Sequence, residues 1–194
     1  MGEPARSLAT WADLARLPEN VRAEVVDGEV VFSPRPRPAH SWTQSALSGC
    51  IGVPFATGPG GPGGWWILIE PDVAFGPHDI LDPDLAGWRR ERAPTFFQAQ
   101  PITLTPDWVC EILSPATARL DRTRKAEIYL RGGVPHFWLM DLDGRTLEAF
   151  ESRDGCWLRL GAWSDGDTPR VPPFEAIELD VTRVLPPLPP PPSP

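Results

Sequence analysis

Positive charge is what this chain of 194 residues most plainly lacks: 18 Lys and Arg stand against 26 Asp and Glu, a formal net charge of -8. A protein that coats DNA through a broad basic surface is thereby disfavoured, because phosphate neutralisation supplies most non-specific affinity. An enzyme with one local basic patch is not. Cysteine is scarce too, and Cys50, Cys110 and Cys156 are far apart with no CxxC spacing. That excludes a disulfide framework and a zinc ribbon, and fits reduced thiols in a cytoplasm. No apolar run is long enough to span a bilayer, and no basic stretch followed by an apolar core opens the sequence. A cytoplasmic protein with no membrane partner is expected. A chain of this length can bury roughly 70% of its unfolded surface, so it needs no metal merely to fold. Lysine is almost missing: of the basic residues only Lys125 is not arginine. A site needing a compact ammonium would hold its lysine where exchangeable surface positions drift to arginine.

What is present reads as one domain over residues 1–185, followed by a proline-rich tail, residues 186–194. Thr10 and Asp13 start a short capped helix ending near Pro18. Residues 22–33 form a hairpin about Asp27-Gly28, with Glu24 on its first strand. A helix over residues 39–51, with Trp42, Ala46 and Cys50 on one face, should stop before Pro54. The Gly/Pro-rich residues 58–64 are a loop, and residues 65–75 and 81–88 read as two strands. After a polar excursion comes an apolar strand at 107–113, then a helix from Ser114-Pro115 to about Arg131, stopped by Gly132-Gly133. Strands follow at 134–141 and 146–151, with two more around 157–160 and 177–181. The order gives an α+β or mixed α/β sheet domain.

Three Pro-Asp pairs, Pro71-Asp72, Pro83-Asp84 and Pro106-Asp107, each suit a strand entry or turn. A sharper meaning needs a second acid nearby, and Glu111 supplies one. It interrupts the apolar run Trp108-Val109-Cys110-Glu111-Ile112-Leu113, on the face of Val109 and Leu113. Such a glutamate is paired with an arginine or binds a metal. In the second case Asp84 and Glu111, from adjacent strands, hold Mg²⁺ or Mn²⁺ with a backbone carbonyl and waters. Lys125 follows on the next helix. A plain ion pair with Asp121 four residues earlier would contribute only about 0.3–0.5 kcal/mol. Tyr129, the sole tyrosine, reads as a packer with a satisfied hydroxyl. Arg119, Arg122, Arg124 and Arg131 make that helix the most basic segment, a solvated face by default and otherwise the best phosphate patch.

The ordered set Glu24-Val25-Val26-Asp27-Gly28-Glu29, His40, Pro83-Asp84, Glu111-Ile112-Leu113-Ser114-Pro115, Asp121, Lys125, Tyr129 and Gly133-Val134-Pro135-His136-Phe137-Trp138 resembles the bacterial Uma-type restriction endonuclease family, a branch of the PD-(D/E)xK nucleases. The resemblance implies a restriction-endonuclease-like core, a central mixed sheet flanked by helices, with a metal-dependent phosphodiesterase site. Asp84 and Glu111 match the motif's acids, and Glu24 matches an early glutamate that would take a second metal or a bound water. Leu113 stands where the superfamily lysine normally lies, two residues past Glu111, and Lys125 fits a lysine moved to the following helix. His40 matches a frequent histidine, with capping, core packing and substrate contact all open. Arg122 and Arg124 are the expected substrate contacts. The implied activity is hydrolysis of nucleic acid, DNA first, and cutting two strands favours a homodimer. A degenerate nuclease fold that binds without cleaving is the alternative, gaining if Lys125 points away from the acids. A purely structural or oligomerising domain is a third reading. No GxSxG or HExxH occurs, and His40, His78 and His136 are too scattered to suggest zinc.

Overall fold

Turn chemistry sets the first hairpin. In the computed structural model, which describes residues 7–95 and 97–188, β1 (Ala23–Val26) pairs antiparallel with β2 (Glu29–Phe32). Asp27 (φ 50°) and Gly28 (φ 78°) turn between them, both left-handed as a type I′ turn requires. Before them, α1 (Trp11–Leu14) is a single turn, shorter than expected, with the Thr10 N–H donating to Asp13 Oδ2 at 2.9 Å.

The second helix, α2 (Pro38–Gly52), does not stop before Pro54; it continues as a π turn over Val53–Thr57. Pro54 has no N–H to offer the preceding turn, and the wider spacing, closed by Gly58 N–H to the Val53 carbonyl at 3.0 Å, carries the chain past it. Its buried face is His40, Thr43, Gln44, Leu47 and Ile51, to one side of the Trp42, Ala46 and Cys50 row.

The two strands expected over 65–75 and 81–88 are four: β3 (Trp65–Ile69), β4 (Val73–Gly76), β5 (Asp79–Leu81) and β6 (Leu85–Arg89). Glu70 at φ 49° before Pro71 breaks the first run, and Pro83, with no donor, breaks the second. Then come β7 (Trp108–Leu113), α3 (Ala118–Leu120), a π turn (Asp121–Lys125), α4 (Ala126–Arg131), β8 (His136–Asp141), β9 (Thr146–Arg153), β10 (Cys156–Ser164) and α5 (Val181–Val184). No strand forms at 177–181. Ile177 turns back on the Phe174 carbonyl at 3.3 Å, and Phe174, Leu179 and Val181 fill the core instead of lengthening a sheet edge. Most of the expected proline tail, residues 189–194, lies outside the described residues.

The strands form two sheets, β2-β1-β5-β4 and β10-β9-β8-β7-β6-β3. In the larger, only β7 and β8 are parallel, and residues 118–131 connect them. Period-two alternation on β7 divides the core. Trp108, Cys110 and Ile112 pack with Leu47 and Ile51 of α2 on one face, while Val109 and Leu113 pack with Ala126, Ile128 and Tyr129 on the other. This is the mixed sheet flanked by helices that the resemblance implies. The smaller sheet was not foreseen as a separate one. It joins the larger through Asp82-Pro83-Asp84, between β5 and β6.

Candidate functional site

Antiparallel register places the first two acids. Leu85 of β6 lies opposite Cys110 of β7, so Asp84, one residue before, comes opposite Glu111. Asp84 Oδ2 accepts the Ile112 N–H at 2.6 Å, and Oδ1 meets His40 Nε2 at 3.1 Å. The backbone of the acid strand and a helix of the opposite layer thus fix one carboxylate. Gln44, one turn beyond His40, donates to the Asp84 carbonyl at 3.1 Å.

Glu111 is 2% exposed, on the face covered by residues 118–131. That helical segment aims Lys125 at it: Nζ lies 2.8 Å from Glu111 Oε1 and 2.9 Å from Glu24 Oε1. Asp121, the local partner expected at four residues' spacing, is more distant at 3.7 Å. The Tyr129 hydroxyl, one turn on, donates to the same Glu111 Oε1. Glu24 is held from the other side by the Asp82 N–H at 2.7 Å. A one-turn spacing, 125 to 129, therefore puts an ammonium and a phenol on one carboxylate oxygen.

Burial pushes the Glu111 carboxyl well up, against the pull of Lys125. It works against the charged Lys125 as well, yet Glu111 and Glu24 hold that ammonium's pKa well above its ordinary value. Lys125 is thus a fixed cation and hydrogen-bond donor rather than a base. Burial raises Asp82 and Asp121 each to about 6, despite Arg22 beside the first and Lys125 beside the second. For His40, burial opposes the charge most, but the hydrogen bond to Asp84 and the charges of Asp84 and Glu70 together outweigh it and the pKa rises.

These groups line a cleft of about 170 Å³ whose acids are Glu24, Asp82, Asp84, Glu111 and Asp121. Lys125 and Arg22 are the cations set among them, Arg22 reaching Asp82 and Glu70 at 2.9 Å each. Hard oxygen donors with an excess of negative charge suit a divalent cation such as Mg²⁺. Among the described residues no three His, Cys, Asp or Glu side chains converge on one point. The protein would contribute two carboxylates and a carbonyl, leaving positions for water, as Mg²⁺ prefers.

Asp84, Glu111, Lys125, Glu24 and His40 therefore come together. Arg122 and Arg124 do not line the cleft. Arg122 pairs with Asp141 and Glu148, each at 2.9 Å, and Arg124 holds Asp27 at 2.9 Å and the Val26 carbonyl at 2.8 Å. With Arg131 on Asp27 and Asp79, Arg124 ties the hairpin of the small sheet to the helical segment, keeping Glu24 beside Lys125. The cleft's arginines are Arg22, Arg35 and Arg37, which the sequence reading passed over. Their signal was the alternation Pro34-Arg35-Pro36-Arg37-Pro38. The bond of Tyr129 to Glu111 was missed because a satisfied hydroxyl has no signature of its partner.

No curated protein matches the chain. A crystal structure described as a "putative nuclease belonging to DUF820", from Anabaena variabilis, superposes with a TM-score of 0.70, covering 91% of this chain and 97% of that one at 22% identity. That likeness supports the fold. No helix among the described residues is long and apolar enough to cross a membrane. The model of the Uma2 family, described as "Putative restriction endonuclease", matches residues 11–182, and the chain belongs to that family.

Proposed function

We propose that this chain is a metal-dependent endonuclease that hydrolyses phosphodiester bonds of nucleic acid, with DNA as the first substrate to test. The observation that carries the reading is the reach of Lys125 to Glu111, from a helix beyond the acid strand, beside an Asp84 fixed at the start of the neighbouring strand. A core-filling lysine would not be placed among Glu24, Glu111 and Asp121 at the floor of an open cleft.

Asp84, Glu111 and the Ile112 carbonyl would hold Mg²⁺ or Mn²⁺, which would acidify water and offset charge on the phosphate. Lys125, a permanent cation here, orients the attacking water and stabilises the negative charge that grows on the phosphoryl oxygens. Tyr129 and Lys125 both hold Glu111 Oε1 and so fix the rotamer of that carboxylate. His40 Nε2 on Oδ1 and the Ile112 N–H on Oδ2 together orient the Asp84 carboxylate. Glu24 positions Lys125 between two carboxylates and is the candidate to hold a second water or cation.

Calorimetric titration of Mn²⁺ into the wild type and Asp84→Asn tests the site without a chosen substrate. Binding by the wild type that the variant loses supports the reading; a folded wild type that binds neither Mn²⁺ nor Mg²⁺, alone or with DNA, overturns it. Glu111→Gln should abolish cleavage with the fold intact, and full retained activity would also overturn the assignment.

A further inference from the structure

The cleft floor repels the very polymer it would cut. Five carboxylates line it, and the whole chain carries a net charge of -8, so a polyanion needs cations at the entrance to approach. Most of the described arginines are already engaged. Only Arg35, Arg37 and Arg119 have neither a carboxylate within salt-bridge distance nor an aromatic ring beneath them. Two of these three line the cleft, and they sit two residues apart.

Their backbone is built for this placement. Residues 34–38 alternate proline and arginine, with Arg35 and Arg37 both exposed. Proline at every second position fixes φ and removes N–H donors, so residues 34–37 join neither sheet nor helix. Arg37 itself lies at φ -75°, ψ 158°, polyproline II geometry. At about 3.1 Å per residue the two arginine Cα atoms stand roughly 6 Å apart, near the spacing of neighbouring phosphates on an extended strand. A stiff strap loses little backbone entropy on binding, and its guanidinium forks have no ion pair to break. Pro38 then begins α2, whose His40 touches Asp84, so the strap is anchored directly to the carboxylate floor.

We propose that residues 34–38 form a phosphate clamp, in which Arg35 and Arg37 grip two backbone phosphates next to the one presented to Asp84 and Glu111. The clamp rests on the nuclease reading above. It replaces Arg122 and Arg124 as the substrate contact, and it recognises the backbone without reading sequence.

The test is fluorescence anisotropy of a short fluorescein-labelled DNA, single-stranded and duplex, at fixed Ca²⁺ over a series of salt concentrations. The double variant Arg35→Ala/Arg37→Ala should bind roughly tenfold or more weakly at low salt. Its slope of log K against log salt should be shallower by about 1.4 on the single strand and about 1.8 on the duplex, two contacts' worth. Arg35→Lys/Arg37→Lys should restore most of the slope, and Arg119→Ala should leave both affinity and slope unchanged. The strap is exposed and outside the core, so these variants should stay folded, which circular dichroism checks. If the alanine variant binds with the wild-type affinity and slope, the clamp is wrong while the nuclease reading stands. If the wild type binds neither DNA, nor a labelled single-stranded RNA of the same length, both fall together.

Discussion

Lys125 is the residue on which the site turns. It is 3% exposed and touches Glu24 and Glu111, with Asp121 near, so it balances carboxylates that burial would otherwise force to take up protons. Removing one partner of such a buried set leaves charge uncompensated, at a cost of about 3–5 kcal/mol. Lys125→Met should therefore lose about that much stability in urea titrations with EDTA present, and regain part of it when Mn²⁺ is added. A loss below about 1 kcal/mol would show that Lys125 is not the counter-ion. In the same variant, cleavage rate should fall more than Mn²⁺ affinity; equal losses would mark a structural lysine.

At the scale of elements, the helical segment of residues 118–131 has two faces with separate duties. Lys125 and Tyr129 point to the sheet and the acid strand, while Arg124 and Arg131 reach over the hairpin turn at Asp27. The sequence showed a basic helix, a solvated face by default and a phosphate patch as the alternative, but acids on neighbouring elements engage Arg122, Arg124 and Arg131. Arg124→Ala should cost up to about 1 kcal/mol in thermal melts, as exposed pairs do. DNA affinity should not change, in contrast to the strap arginines. A matching loss of affinity at constant stability would return Arg124 to the substrate. Elsewhere the elements were legible where pattern is local: the hairpin at Asp27-Gly28, the alternation on β7 and the stop at Gly132-Gly133 all formed as their residues dictate. They were illegible where proline acts against its context. Pro54 sits inside a helical run, and Pro83 splits one apolar stretch between two sheets.

For the molecule as a whole, the buried acids make stability depend on pH. Asp82 and Asp121 sit at about 6 in the fold, against roughly 4 for a free carboxylate. The folded chain keeps protons that the unfolded chain releases, so their contribution is full below pH about 4 and is lost as pH rises through about 6. Glu111 and His40 act in the same direction, and His136, lowered by burial, acts against them. In EDTA the chain should be more stable to urea at pH 5.5 than at pH 7.5. Asp82→Asn should narrow the gap, and Mn²⁺ should narrow it further by standing in for the protons. Greater stability at pH 7.5 in EDTA would refute this account.

The sequence by itself determined the α+β class, the hairpin and the acid strand, because turn residues and period-two alternation act between neighbours in the chain. It also singled out Asp84, Glu111 and Lys125, since a glutamate in an apolar strand and a solitary lysine are local anomalies. Tertiary structure alone decided that Lys125 bridges Glu24 and Glu111, that Tyr129 shares the same oxygen, and that Arg35 and Arg37 are left without acidic partners while Arg122 and Arg124 are not. The reason is physical: a charge acts through space on groups distant in the chain, and only the packed fold says which carboxylate each cation meets.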